Sequence, residues 1–154
     1  MPVMLYNDLS YCLNTITGMG QHSGSLVKSG NSFEYKISTL GWCESSVLFR
    51  CLKGGSLVVK WSTVSLIDDA PFAESFSVKY VKCPDNLYPL VSESLGICER
   101  MLIMSRTYVG SVLTSKRVYD SSVRQAAVTY RSGVEYAHDE ALRGLTALKA
   151  RVSR

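Results

Sequence analysis

The sequence predicts an α+β protein: a mostly antiparallel sheet packed by helices, with a long amphipathic basic C-terminal helix. Three observations predict it. Apolar residues alternate with polar ones in several runs between residues 33 and 83, they recur at steps of three and four on either side of that stretch, and Gly54-Gly55 separates two strand-like runs. A chain of 154 residues is long enough for one compact core, so a single domain is expected over 1–154. Within it, 1–32 reads as an N-terminal helix and Gly/Ser-rich loop, 33–113 as the sheet-containing core and 114–154 as a basic helical tail.

Leu5, Leu9, Cys12, Leu13 and Ile16 fall at helical spacing, with Asn7 as N-cap and Gly18 as C-cap. Residues 18–32 mix glycine, serine and Asn31 without a period, which predicts a loop. From Phe33 the period becomes two: Phe33, Tyr35, Ile37 and Thr39 alternate with Glu34, Lys36 and Ser38, as in a strand with one buried face. Next, 47–53 and 56–64 form a hairpin about a two-residue Gly54-Gly55 turn, because glycine reaches positive φ without strain. A strand over 75–83 follows the turn at Asp68-Asp69-Ala70-Pro71. Val91, Leu95, Cys98, Leu102 and Ser105 then predict a helix over 91–105 capped by Ser92, and 107–113 reads as a fifth strand. A final helix runs from about 121 to 151. Gly133 and Gly144 each cost it about 1 kcal/mol against alanine.

The net charge of +4 lies entirely in the tail. Residues 1–114 balance nine Lys/Arg with nine Asp/Glu, whereas 115–154 carry eight against four. Arg117, Arg124, Arg131 and His138 recur every seven residues, a spacing that stacks them on one side of a continuous helix. Such a stripe is suited to a polyanion. The expected polyanion-binding residues are Lys116, Arg117, Arg124, Arg131, Arg143, Lys149, Arg151 and Arg154, with Tyr119, Tyr130 and Tyr136 placed to stack on bases. An anionic bilayer or an acidic protein would suit the same charges, and a solvated helix face is the plain alternative. On the opposite side Val123, Ala127, Tyr130, Val134, Ala137, Ala141, Leu145 and Leu148 keep a seven-residue rhythm, the pattern of helix pairing, and are the expected self-association face.

Chemistry-bearing motifs are sparse. Five cysteines without a recognisable export signal read as reduced, mostly buried thiols in a cytosolic setting, and no apolar run is long enough to span a membrane. With no Cys-x-x-Cys and only His22 and His138, no metal site is expected. Gly18, Gly20 and Gly24 match neither phosphate-loop fingerprint, and Asp68-Asp69 reads as a turn rather than an acid–base pair. No cofactor or small-molecule substrate is implied. One catalytic alternative exists, a papain-like thiol protease using Cys43 and His138, whose chain order matches although Trp42 precedes the cysteine instead of an aromatic following it.

The segment Phe76-Ser-Val-Lys-Tyr-Val-Lys-Cys-Pro-Asp-Asn, followed by a turn and the helix over 92–104, resembles the strand–turn–helix core of rhabdovirus matrix proteins, and Tyr88-Pro89-Leu90-Val91 is similar to a Tyr-Pro-x-Leu budding signal. The resemblance covers about 35 of 154 residues. The family's basic N-terminal arm has no counterpart here, and its further strands are replaced by a long helix. The resemblance implies a non-enzymatic, self-associating viral structural protein of matrix type. Its partners would be RNA or nucleocapsid and an anionic membrane surface, and it would sit in host cytoplasm and virion. An RNA-binding capsid subunit or RNA-sequestering protein is the alternative from the same charges.

Overall fold

The computed structural model describes residues 3–121 and 125–153, with side chains over 4–118 and 128–153. Its architecture is α+β. The first helix, α1 (Val3–Gly18), seats Leu5, Leu9, Cys12, Leu13 and Ile16 in the core, as their spacing predicts. It begins before Asn7, which therefore lies inside the helix and caps nothing. Five strands follow in an unbroken antiparallel meander: β1 (Ser25–Ser29), β2 (Ser32–Thr39), β3 (Cys43–Cys51), β4 (Leu57–Ser65) and β5 (Ala73–Tyr80). β1 corrects the loop expected over 18–32. Its serine-rich sequence has no period of its own, and pairing supplies what the pattern lacks, with Leu26 opposite Tyr35.

The β3–β4 hairpin is as expected, but its loop is longer than two residues. Cys51 pairs with Leu57, and a single 3-10 turn, Lys53–Gly55, fills the loop, with Gly54 and Gly55 at φ 82° and 87°. One sheet face is the core. Phe33, Tyr35, Val47, Phe49, Leu57, Val59 and Trp61 point into it and are almost wholly buried. Trp61 is fixed by a hydrogen bond from Nε1 to the Ser94 carbonyl (3.2 Å) and by stacking on Phe76 at 5.0 Å.

The largest correction concerns 107–113. These residues do not form a strand; they continue α2 (Tyr88–Ser121), which also crosses the 113/114 boundary drawn from composition. Thr107, Tyr108, Val109 and Val112 favour strands intrinsically. The helical steps through Met101, Ser105, Tyr108, Val112 and Ser115, all buried, override that preference. Tyr108 anchors the segment, its ring 5.2 Å from that of Phe72 in the β4–β5 connection. The helix starts earlier than its expected Ser92 cap, with Asn86 Oδ1 accepting the Tyr88 N–H at 3.1 Å and Pro89 in the first turn.

α3 (Gln125–Val152) packs back along α2. Gly133 lies against Ser115 and Gly144 against Met104, pairs whose numbers run in opposite directions, so the helices are antiparallel. α2 covers β2, β3 and β4, and the end of α3 reaches β5. The helices among the described residues thus lie on one side of the sheet, and none of those residues covers its other face.

Candidate polyanion-binding faces

The helical reversal dismantles the basic stripe. Arg117 lies near the end of α2, whereas Arg131 and His138 lie on α3 running the other way, so a spacing of seven does not align them. Several tail cations are also engaged in ion pairs, most of them with the body of the protein and one within α3. Lys116 Nζ meets Asp69 Oδ2 at 2.9 Å, Arg143 meets Glu140 at 2.9 Å and Arg151 meets Glu93 at 3.2 Å. Lys149 Nζ is 2.9 Å from Glu74 Oε1 and 5.7 Å from the centre of the Phe76 ring. These exposed or half-exposed pairs add little stability, in the range of about 0.2–1 kcal/mol each. Their larger consequence is local neutralisation. Arg117 and Arg131 remain exposed without an ion pair among the described residues; Arg124 and Arg154 lie outside them.

The apolar side of the tail is likewise used within the chain. Ala137, Ala141, Leu145 and Leu148 are buried, and Tyr130 and Val134 are half-buried against the same core. A face already docked in the monomer's core is not available as a second helix's partner, which corrects the self-association surface read from the heptad rhythm. Val123 and the side chain of Ala127 fall outside the described residues, as does that of Tyr119.

Unpaired positive charge collects instead on the open face of the sheet. Strand register places Arg50 (β3), Val58 (β4) and Lys79 (β5) in one cross-strand row, and Leu48, Lys60 and Ser77 in the next. Arg50 and Lys79 are therefore about 10 Å apart, two strand spacings of about 4.8 Å, with Lys60 one outward position along the strand between them. All three are exposed and none forms an ion pair among the described residues. Lys53 in the hairpin loop and Lys82 beyond β5 are exposed at the same end of the sheet.

Serines fill much of the remaining face. Ser25, Ser46, Ser62 and Ser75 share a row with Lys36, and Ser46 and Ser62 hydrogen-bond through their hydroxyls at 3.0 Å. The acids of this face, Glu34 and Glu44, both lie 3.6 Å from Lys36 and so compensate that lysine rather than the Arg50–Lys60–Lys79 group. Cations and hydroxyls on a flat surface are donors for phosphate oxygens. The outward strand positions hold no aromatic ring, so the face offers backbone contact without base stacking.

No hydrogen bond joins Cys43 and His138 among the described residues. Cys43 is fully buried at the start of β3, where burial pushes its thiol pKa up. His138 faces Tyr108, ring centres 6.0 Å apart. A thiol held protonated in the core is not a ready nucleophile. Tyr88-Pro89-Leu90-Val91 forms the first turn of α2 with Val91 fully buried, so this stretch is not an extended exposed peptide. Among the described residues no group of three His, Cys, Asp or Glu could hold a metal ion, and no helix is long and apolar enough to cross a membrane. Neither family models, nor curated proteins, nor solved structures yield a match to this chain.

Proposed function

We propose that this chain is a non-enzymatic assembly protein that binds a phosphate-rich polyanion, RNA in the first instance, through the open face of its sheet. The observation that carries the reading is the Arg50–Lys60–Lys79 group, three exposed cations brought together by strand register and left without counter-charges. RNA is favoured over a bilayer because membrane-surface binding draws on buried apolar area. Here the apolar neighbours of the cations, Leu48 and Val58, are half-buried, serines fill the positions beyond them, and Val27 and Val64 are exposed only towards the margins of the face. Contact would be to the RNA backbone and largely indifferent to sequence.

A matrix-type role, in which the polyanion is an acidic membrane and the protein self-associates beneath it, is the second reading. It is supported by one feature: β5, the turn after it and the first turns of α2 form the strand–turn–helix unit on which the viral resemblance rests. Co-sedimentation with single-stranded RNA, duplex RNA, acidic vesicles and neutral vesicles, each at low and high salt, separates the two. RNA binding that weakens steeply with salt and is not competed by acidic vesicles supports the first reading. Vesicle binding that RNA does not displace moves the assignment to the second, and binding to none of them overturns both.

A further inference from the structure

We infer that the free edge of β5 pairs with β5 of a second copy of this chain, joining two five-stranded sheets into one continuous sheet. This deepens the assembly half of the proposed function and does not depend on the polyanion half.

The backbone supplies the first argument. The Ser65 N–H donates to the Phe72 carbonyl at 2.7 Å, and pairs that exchange both hydrogen bonds alternate along an antiparallel ladder. Glu74, Phe76, Val78 and Tyr80 therefore turn their backbone polar groups towards β4. Ala73, Ser75, Ser77 and Lys79 turn theirs outward. The strand pairs with β4 through an uninterrupted register from Ala73 to Tyr80 and contains no proline, so it lacks two of the devices that blunt edges. One outward donor is engaged: the Ser75 N–H meets Glu74 Oε1 at 3.2 Å. Ser77 has no such cover among the described residues.

Side chains argue for a second copy in particular. Phe76, Val78 and Tyr80 form a core-side row that stays half-buried at the edge, whereas their cross-strand partners Trp61, Val59 and Leu57 are almost wholly buried. A two-fold axis at Ser77 sets Phe76 against the copy's Val78 and Glu74 against its Tyr80, where the phenol can donate to the carboxylate. On the open face it sets Ser75 against the copy's Lys79, with no like charges opposed. Shifting the axis to Phe76 would press Glu74 against a valine instead. The helix layer allows the approach. Thr146, Ala150 and Ser153 are exposed on the side of α3 turned away from the buried Ala141 and Leu148, and all are small.

The test is molar mass in solution, by light scattering and sedimentation equilibrium, for the wild type, Ser77→Pro and Ala150→Arg. Proline at an outward edge position removes the central donor without touching the β4 ladder; arginine at 150 obstructs the helix layer without altering the strand. The wild type is expected at twice the 17.0 kDa chain mass, and both variants at 17.0 kDa with unchanged circular dichroism. If Ser77→Pro fails to fold, Ala150→Arg decides. A wild type that stays monomeric up to its solubility limit, or a dimer that persists in the folded variants, overturns the inference. A monomer that binds RNA leaves the polyanion reading standing, and a dimer that binds no polyanion removes that reading alone.

Discussion

Gly133 on α3 packs so closely against Ser115 on α2 that a methyl group at 133 would overlap the serine hydroxyl and lie 3.3 Å from its Cβ. The glycine is a contact point between helices. Alanine would gain about 1 kcal/mol of helix propensity there, but forced overpacking costs about 1–3 kcal/mol. Gly133→Ala is therefore expected to destabilise, and adding Ser115→Ala should restore part of the loss; chemical denaturation of both variants measures it.

Gly144 makes the contrasting case. Its nearest neighbour is the Met104 thioether, at the end of a flexible side chain that can move aside. Gly144→Ala is expected to be neutral or stabilising by up to about 1 kcal/mol in the same measurement. A loss as large as that of Gly133→Ala would show that the helices are locked at Met104 as well.

Stability should fall in alkali. Burial raises Cys98 to about 12 and Cys51 to about 11 from 9.0, and Tyr35 to about 12 from 10.0. A group raised on folding stays protonated in the native state while the unfolded chain ionises. Its contribution is full below the unfolded value and is lost as pH climbs towards the folded one. Melting temperatures should be level below pH 9.0 and decline steadily above it. A stability flat through that range would contradict the buried placement of these groups.

Thiol reagents report the same burial residue by residue. Cys12, Cys43, Cys51 and Cys98 are buried, whereas Cys83 is half-exposed. Native protein should be labelled first at Cys83, with the rest reacting only on unfolding. Rapid labelling at Cys43 would reopen the thiol-enzyme alternative.

Continuity of α2 through 107–113 can be tested with Ser111→Pro. Proline inside a helix costs about 3 kcal/mol or more. A loss of that size in denaturant titration is expected, and a near-neutral effect would argue that the segment is not helical.

What could be read in the sequence divides along local and non-local lines. The core side of α1 and the alternation of β2 were legible because burial imposes a period on each element by itself. The 107–113 helix was not, because its β-branched and aromatic residues favour a strand until Tyr108 finds Phe72 and α3. β1 was hidden because its partner, not its pattern, defines it. The cationic face shows the same limit. Arg50, Lys60 and Lys79 each stand between two inward apolar residues, so their outward orientation was available from the alternation. Their adjacency was not, since it depends on the register of β3, β4 and β5. The seven-residue rhythm of the tail misled for the converse reason: it assumed one continuous helix where the chain folds back.

The most direct measurement is the RNA affinity of the wild type, of the triple variant Arg50→Gln/Lys60→Gln/Lys79→Gln and of Arg117→Gln/Arg131→Gln, each over a range of salt concentrations. Each phosphate contact contributes about −0.7 to the log–log salt slope for single strands. The triple variant should bind weakly with a slope flatter by about 2, while the helix variant stays near the wild type. Unchanged binding by the triple variant alongside loss in the helix variant would return the site to the helices and contradict the sheet-face assignment.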